Sequence, residues 1–235
     1  MPGVLLTAPS QSHKPFPALT SVVKNSESLQ VGGFVPFTTV DYPGHLAAVV
    51  FCQGCTWRCR YCHNPHLQPF CQGERKWDDI LQLLTERKNF LEAVVFSGGE
   101  PTAQAALPDA IRAVRDIGYK VGLHTAGIFP DRFAAVLPLL DWVGLDIKAP
   151  FDVRYDRVTG RENSFEAPLA SLRLLLASGV PYELRTTVHP GLLSASDLED
   201  LSQSLASLGA QPTKIQPFRP HGCIDAELLS EPLPG

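Results

Sequence analysis

The stretch Leu46-Ala-Ala-Val-Val-Phe51 runs directly into Cys52-Gln-Gly-Cys55-Thr-Trp-Arg-Cys59-Arg-Tyr-Cys62. The first part has the length and the apolar composition of a buried strand. The three cysteines Cys55, Cys59 and Cys62 lie within eight residues of sequence. Soft sulfur ligands at this density suit an iron–sulfur cluster or zinc. The stretch therefore predicts a buried strand that ends at a metal-binding loop.

Outward from this strand, short β-branched runs alternate with longer runs of helical periodicity. The other predicted strands are Ala93–Ser97, Lys120–Thr125, Trp142–Ile147, Tyr182–Val188 and Thr213–Pro217. The predicted helices are Trp77–Phe90, Leu107–Ile117, Pro130–Leu139, Ser164–Ala177 and Ser196–Leu208, and a polar loop is predicted at Pro150–Arg161. Six such repeats imply a parallel sheet, and roughly 190 usable residues are too few for the about 250 of a full eight-stranded barrel. The sequence predicts an α/β fold, an incomplete (β/α)6 barrel with a parallel sheet.

The composition is typical of a folded chain with a hydrophobic core, and it excludes several classes of function. Apolar residues make up 44% of the 235 residues and charged residues 19%, which excludes a largely disordered protein. The net charge of −4 and the lack of a basic run argue against a nucleic-acid partner. No signal peptide or membrane-spanning apolar run is found, so a cytoplasmic protein with no membrane partner is expected. Residues 1–30 are expected to form a mobile leader or a surface extension, and residues 31–235 a single domain.

Zinc remains an alternative ligand for the cysteines. The metal would be held by two C-x-x-C pairs, or by three cysteines with His63. Zinc ribbons place about a dozen or more residues between their pairs, whereas three residues separate the pairs here. Cys52 is expected to end the strand as a small buried residue, and Cys71 and Cys223 are expected to be structural.

The spacing C-x-x-x-C-x-x-C, with an aromatic residue before the last cysteine, is the signature of the radical S-adenosylmethionine (radical SAM) superfamily. Three segments together resemble the anaerobic ribonucleoside-triphosphate reductase activating proteins, which are relatives of the pyruvate formate-lyase activating enzymes. These segments are Gly32–Gly44, Cys55–Pro65 and Ser97–Pro101. The resemblance extends over about Val31 to His221 and implies a radical SAM core.

The resemblance implies two cofactors. A four-iron, four-sulfur (4Fe-4S) cluster would be held by the three cysteines, leaving one iron open for S-adenosylmethionine. The segment Gly98-Gly99-Glu100 would hold the methionyl amine of S-adenosylmethionine. From the residues alone, the same segment can be an ordinary strand-to-helix turn, because glycines and a following Pro101 favour such turns.

Charged residues at later strand ends complete the predicted cofactor site. Asp146 and Lys148 share one face of their strand, and the resemblance makes Lys148 a partner for the methionine carboxylate. Arg185 matches a cofactor-contacting arginine of the lyase activators. From the residues alone, Asp146 and Lys148 can simply be a solvent-exposed charged pair at the edge of the sheet. Arg185 can form a salt bridge with a neighbouring acid such as Glu183.

Two positions depart from the lyase activators. His124 stands where those enzymes have an aspartate near a cation and the cofactor, and an imidazole cannot supply that negative charge. The resemblance therefore does not extend to a cation site, which stays open. His124 lies either beside the cofactor or in the core, satisfied by the backbone. At the sixth predicted strand Pro217-Phe218-Arg219 replaces Pro-Tyr-His, so the role of the histidine is lost or moved to Arg219.

The resemblance implies a radical SAM oxidoreductase that activates a glycyl-radical enzyme. An electron from a flavodoxin- or ferredoxin-like reductant would cleave S-adenosylmethionine to a 5′-deoxyadenosyl radical. That radical would take hydrogen from a glycine of a protein substrate, an anaerobic ribonucleotide reductase. Two alternatives stay open: the same cofactor chemistry on a small molecule or a peptide, and a zinc-stabilised interaction module without catalysis.

Overall fold

The computed structural model describes residues 28–230. Its strands are β1 (Val31–Thr38), β2 (Ala47–Cys52), β3 (Ala93–Gly98), β4 (Lys120–Thr125), β5 (Trp142–Asp146), β6 (Tyr182–Val188) and β7 (Lys214–Pro217). Its helices are α1 (Trp77–Glu86), α2 (Leu107–Ile117), α3 (Pro130–Val136), α4 (Val153–Thr159), α5 (Glu166–Ser178), α6 (Ala195–Ser207) and α7 (Ala226–Ser230). Short 3₁₀ turns lie at Pro65–Leu67, Pro101–Ala103 and Leu137–Leu139.

In the described part of the chain, the seven strands form one sheet in sequence order. β2 to β7 are all parallel, and β1 pairs with β2 in the antiparallel direction. The six parallel strands and their crossovers confirm the predicted incomplete (β/α)6 barrel, since no pairing joins β1 to β7 among these residues. The carboxyl ends of the six parallel strands therefore meet at one edge, where ligands bind in such sheets.

The central strands β2 to β5 are buried on both faces, as expected for parallel strands, whereas the edge strand β7 is largely exposed. The main core lies between the sheet and the helices, with Phe96, Leu123 and Leu145 fully buried. On the inner face a smaller cluster is built around Tyr42, which comes from the β1–β2 loop and lies 5.4 Å from Trp142, measured between ring centroids. This aromatic pair fills the amino-terminal half of the partial barrel and leaves the carboxyl end open.

The prediction of a polar loop at 150–161 is wrong, because α4 lies in this segment. The Asp152 side chain caps the helix by accepting the Arg154 N–H at 2.9 Å, and Gly160 ends it with φ +70°. Tyr155 and Val158, three residues apart, are both fully buried. The mixed charge of the segment hid this short apolar stripe, which only tertiary packing makes sufficient for a helix.

Other predicted boundaries shift for local reasons. α1 ends at Glu86 instead of Phe90, because Phe90 is 76% exposed and gives the last turn no apolar face. β1 was not predicted, because two glycines and Pro36 interrupt its alternation, a pattern that an edge strand tolerates. Within the segment predicted as a leader, Leu29 is buried in the core, and residues 1–27 lie outside the described residues.

Candidate functional site

A cavity of about 250 Å³ opens at the carboxyl edge of the parallel strands. One wall is the loop of residues 53–64 after β2, here named the cysteine loop, and the opposite walls are the ends of β3 to β7. The cavity is lined by most of the residues that the sequence selected: Cys55, Cys59, Cys62, Gly98, Gly99, His124, Asp146, Lys148 and Arg185. Glu100 lies behind this lining.

The cysteine loop has little regular structure of its own. Its backbone makes one internal hydrogen bond of note, from the Cys62 N–H to the Cys59 carbonyl at 3.0 Å. Two further N–H groups, those of Arg58 and Arg60, donate to the carbonyls of Thr159 and Val158 at the end of α4. The loop is thus shaped by the elements around it, as expected for a segment that must wrap a ligand rather than continue a strand.

The cavity brings together three of the six cysteines, all of which are free. Burial raises the pKa of Cys55 to about 11 and that of Cys59 to about 12, so a metal must displace their protons on binding. Cys52 ends β2 with no exposed surface and does not line the cavity, as predicted. The arrangement of two C-x-x-C pairs around zinc is therefore not formed.

The donor set fits a cluster rather than a single ion. Among residues 28–230, no three His, Cys, Asp or Glu side chains converge tightly enough to hold one metal ion. Three soft thiols facing one cavity suit an iron–sulfur cluster, whose irons are spread over a larger volume. Two polar atoms of the cavity lining, Tyr61 Oη and His63 Nε2, are buried without a hydrogen-bond partner in the described chain, so the cavity also accommodates a polar ligand.

Gly98 and Gly99 allow the end of β3 to pass close to the cysteine loop. Gly98 has φ +122°, and a Cβ added there would lie 2.4 Å from the Cys52 nitrogen. A Cβ on Gly99 would lie 2.4 Å from the Gly54 carbonyl oxygen. No other residue fits at these positions without displacing the backbone.

Glu100 lies directly behind the two glycines and is 1% exposed. Its Oε1 accepts hydrogen bonds from the Thr102 N–H at 3.1 Å and from the hydroxyls of Thr102 and Thr125 at 2.5 and 2.6 Å. Its Oε2 accepts the Ala126 N–H at 2.9 Å. The carboxylate therefore ties the end of β3 to the end of β4 and fixes the backbone that carries the glycines.

An ion-paired group lies across the cavity from the cysteines. Asp146 Oδ1 accepts from Arg185 Nε at 2.9 Å, and Asp146 Oδ2 accepts from Lys148 Nζ at 3.1 Å. Arg185 thus forms the salt bridge with a neighbouring acid that the residues alone suggest, but the acid is Asp146 and not Glu183, which contacts Lys214 at 3.4 Å. The side chains of Arg185 and Lys148 are each 12% exposed, so their charges are directed toward the cavity rather than toward bulk water.

The electrostatics keep this group fully charged. Burial acts to raise the pKa of Asp146, but the neighbouring Arg185 and Lys148 cations hold this pKa well below its usual value. Burial acts to lower the pKa of Lys148, but Asp146 raises it well above its usual value. Two cations and one anion leave a net positive wall, which suits a carboxylate ligand.

His124 lines the cavity and is also satisfied by the backbone. It is 8% exposed, and its Nε2 lies 2.9 Å from the Asp41 carbonyl oxygen. Burial, with a contribution from the Arg185 charge, lowers the pKa of His124 to about 4. The imidazole is therefore neutral near pH 7 and donates from Nε2, which connects the β1–β2 loop to the interior of the barrel.

Sequence reasoning missed several cavity residues, among them Tyr61, Thr187 and Gln216. Lys148 Nζ lies 5.7 Å from the centroid of the Tyr61 ring, within range of a cation–π contact. Thr187 follows Arg185 by two residues on β6, so strand alternation was the signal that points it to the same face.

A second opening, here named the lateral cleft, adjoins the cavity where the barrel is incomplete. It has a volume of about 570 Å³ and runs between the β1–β2 loop, at Val40 and Asp41, and β7. It shares with the cavity four lining residues, which are His63, Arg185, Thr187 and Gln216. Arg219, the residue that replaces a histidine of the lyase activators, lines this cleft. The cavity can thus be approached from the side of the barrel.

Comparison with known proteins places the chain among enzymes with this architecture. The family model described as "Radical SAM superfamily" matches residues 49–204. A protein of Methanocaldococcus jannaschii, named as a candidate glycyl-radical enzyme activating enzyme, is 30% identical over 211 residues, covering 87% of this chain and 86% of that protein. The pyruvate formate-lyase-activating enzyme of Clostridium pasteurianum is 32% identical over 200 residues, covering 81% of this chain and 82% of that enzyme.

Solved structures agree on the fold at lower identity. QueE from Escherichia coli matches with a TM-score of 0.52 and 18% identity, covering 81% of this chain and 84% of that chain. SuiB of Streptococcus suis, solved with the precursor peptide SuiA, matches with a TM-score of 0.61 and 12% identity. That match covers 73% of this chain but only 39% of the SuiB chain. Within residues 28–230, none of the helices combines the length and hydrophobicity needed to traverse a bilayer.

Proposed function

This chain belongs to the radical SAM superfamily, and from that premise we propose that it is a glycyl-radical activase whose protein substrate is an anaerobic ribonucleotide reductase. Enzymes of the superfamily use a 4Fe-4S cluster and S-adenosylmethionine. When bound and reduced, these two groups supply a 5′-deoxyadenosyl radical. The protein contributes binding, orientation and exclusion of water.

Each wall of the cavity has a role in this proposal. Cys55, Cys59 and Cys62 hold the cluster through their thiolates. The positive wall of Lys148 and Arg185 would hold the methionine carboxylate, and the backbone at Gly98 and Gly99 would receive the amine. Because Glu100 already accepts four hydrogen bonds, we propose that it acts on the amine by holding this backbone in place and by its negative charge.

The lateral cleft is the observation that carries the choice of a protein substrate. It adjoins the cofactor cavity, and at about 570 Å³ it is the larger of the two spaces. A glycine within a polypeptide can reach the cavity only as an extended segment, with chain leaving in both directions. An open side of the barrel admits such a segment, whereas a closed barrel admits only small molecules.

The choice among glycyl-radical enzymes is supported by the residues that differ from the lyase activators. Arg219 lines the cleft, and the neutral His124 at the cavity lacks the negative charge of the aspartate that the lyase activators have there. These differences change the charge that an entering segment meets and favour an anaerobic ribonucleotide reductase over pyruvate formate-lyase. A flavodoxin- or ferredoxin-like protein would supply the electron. The free cysteines support a reducing, cytoplasmic location.

Radical transfer tests the proposal directly. The reconstituted and reduced enzyme is incubated with S-adenosylmethionine and with either an anaerobic ribonucleotide reductase or pyruvate formate-lyase. We expect a glycyl doublet in the electron paramagnetic resonance (EPR) spectrum and 5′-deoxyadenosine in step with it, with the reductase the better substrate. The Cys59→Ala variant is the control and should give neither signal. If neither protein acquires a radical while a small metabolite or a peptide stimulates deoxyadenosine formation, the activase proposal is wrong.

A further inference from the structure

The residue between Cys59 and Tyr61 in the cysteine loop makes its strongest contacts far along the chain. Arg60 Nε lies 2.7 Å from Asp225 Oδ2, and Arg60 Nη2 lies 3.2 Å from Asp225 Oδ1 and 2.6 Å from Glu227. We propose that residues 218–230, here named the strap, hold the second half of the cysteine loop in its ligand-binding shape, with Arg60 and Asp225 as the positioning residues. This inference rests on membership of the superfamily and not on the identity of the protein substrate.

The cysteine loop needs such support from outside. The end of α4 receives the N–H groups of Arg58 and Arg60, which fixes the middle of the loop. Beyond this point Cys62 has only the short turn bond to Cys59 in the backbone network of the loop. Cys59 is held between these two N–H groups, so the position of Cys62, the last of the three proposed cluster ligands, depends most on whatever packs against residues 60–63.

The strap is the element that packs there. Besides the Arg60 ion pair, Cys223 Sγ donates to the Arg60 carbonyl oxygen at 3.4 Å. Gly222 has φ +83°, and a Cβ added to it would lie 2.1 Å from the His63 carbonyl oxygen, so the two backbones are in direct contact. The Phe218 ring lies 5.8 Å from the His63 ring, measured between centroids. The strap thus contacts both the residue between the last two cysteines and the residue after them.

The far side of the strap is anchored independently of the cysteine loop. Asp225 Oδ1 accepts the N–H groups of Glu227 and Leu228 at 3.1 Å, which begins α7. The buried His189 donates from Nε2 to the Leu228 carbonyl at 3.0 Å, since its Nδ1 accepts the Gly191 N–H. Of these anchors only the Asp225 cap is shared with the ion pair, and the amide oxygen of an Asn at position 225 can still accept both N–H groups. Loss of the ion pair should therefore loosen the loop and leave the strap and the fold in place.

The geometry of the Arg60–Asp225 pair suits it to fix the position of the cysteine loop. Its contact is a two-point contact of a planar guanidinium with a carboxylate, the geometry that fixes orientation as well as distance. The side chains of Arg60 and Asp225 are 26% and 19% exposed, so water screens them only in part. By contrast, Glu227 is 73% exposed and adds a contact of small expected effect.

Thiol alkylation in the full-length, metal-free chain measures loop position without any catalytic readout. Iodoacetamide labelling at fixed pH, followed by mass spectrometry, gives separate rates for Cys59 and Cys62. Cys71 is exposed and outside the strap, so its rate serves as an internal reference. For Asp225→Asn we expect Cys62 to react about three to ten times faster relative to Cys71, the range set by a half-buried ion pair. Cys59, which α4 holds on both sides, should change less. Asp109→Asn, which removes a carboxylate from an exposed pair, is the matched control and should change neither rate.

Two further measurements separate positioning from general destabilisation. Arg60→Lys keeps the charge, loses the two-point contact and leaves the Asp225 cap of α7 in place, so it should raise the Cys62 alkylation rate as Asp225→Asn does. In the reconstituted enzyme, Asp225→Asn should bleach faster in air and alter the EPR spectrum of the reduced cluster, with an unchanged melting temperature of the metal-free chain. If Asp225→Asn fails to fold, Arg60→Lys takes its place in every measurement. Alkylation rates equal to wild type in the folded variants would overturn the proposal.

Discussion

Replacing Asp146 by Asn tests the electrostatic account of the cavity. The change keeps the size of the side chain and removes the only negative charge that faces both Lys148 and Arg185 in the described ion-paired group. Two cations that are each 12% exposed would then face one another without an anion between them. We expect the metal-free chain to lose stability and the positive wall to lose its shape.

The magnitude follows from the contacts that are lost. Asp146 accepts hydrogen bonds from Arg185 Nε at 2.9 Å and from Lys148 Nζ at 3.1 Å, and Arg185 Nη2 lies 2.8 Å from Asp146 Oδ1 as an ion-pair contact. Two hydrogen bonds between charged groups, at about 1.5–3 kcal/mol each, set an upper bound of roughly 3–6 kcal/mol. The Asp146 side chain is 30% exposed and the three contacts share one carboxylate, so screening and non-additivity reduce this sum. An expected loss of about 2–4 kcal/mol remains, similar to the effect of breaking a buried pair.

Urea denaturation of the reduced, metal-free chain at pH 7 measures this loss. Asp109→Asn provides the comparison, because its pair with Arg112 is more than half exposed on both sides and should cost below about 0.5 kcal/mol. A loss of less than about 1 kcal/mol for Asp146→Asn would refute the view that its charge organises the two cations.

The pH dependence gives a second check on the same residue. Burial acts to raise the pKa of Asp146 in the folded chain, but the Arg185 and Lys148 cations favour the carboxylate more strongly. The folded pKa of Asp146 therefore lies below its unfolded value of about 3.9. The stability that this group contributes is therefore complete above the unfolded pKa and is lost as pH falls toward the folded one. The stability difference between wild type and Asp146→Asn should be constant from about pH 5 to 7 and should shrink below about pH 4. A difference that widens as pH falls would contradict the assignment.

Three further predictions concern the cofactor site. Each of the three cavity cysteines changed singly to Ala should abolish cluster iron after anaerobic reconstitution, while Cys52→Ala keeps it; full iron in any of the three would exclude that residue as a ligand. Lys148→Ala and Glu100→Ala should retain iron but weaken S-adenosylmethionine binding by roughly 10- to 150-fold in an equilibrium binding measurement. The reason is that each variant removes a charge-assisted contribution of about 1.5–3 kcal/mol. Unchanged affinity in both variants would count against these roles. Gly98→Ala should unfold at clearly lower urea concentration than wild type, because its Cβ would lie 2.4 Å from the Cys52 nitrogen; a wild-type midpoint would show that the backbone there yields easily.

The repeating pattern of the chain was enough to predict the sheet. β2 to β5 are short runs whose residues are almost all buried, and helices between the strands carry an amphipathic period, so neighbouring residues alone indicate both kinds of element. The predicted Lys120–Thr125 and Tyr182–Val188 match the observed strands at both ends. The same local logic failed for α4 and β1, because their stability comes from partners distant in sequence.

Many residues of the candidate site could also be predicted from the sequence. Ligands gather at the carboxyl ends of parallel strands, so residues at those positions could be selected once the strands were known. The cysteine spacing identified the superfamily that the family model confirms. The structure then brought Lys148 and Arg185 to one cavity with the cysteines, although they lie far apart along the chain.

What the sequence alone determined is the set of six parallel strands, the chemistry of the cysteine loop and the side of the sheet on which it acts. The tertiary structure decided which charges meet: Arg185 pairs with Asp146 across two strands rather than with Glu183 on its own strand. It also decided that Arg60 is held by Asp225, 165 residues away. The physical reason is that periodicity and spacing are properties of neighbouring residues, whereas an ion pair depends on the three-dimensional approach of two groups, which only the packed fold specifies.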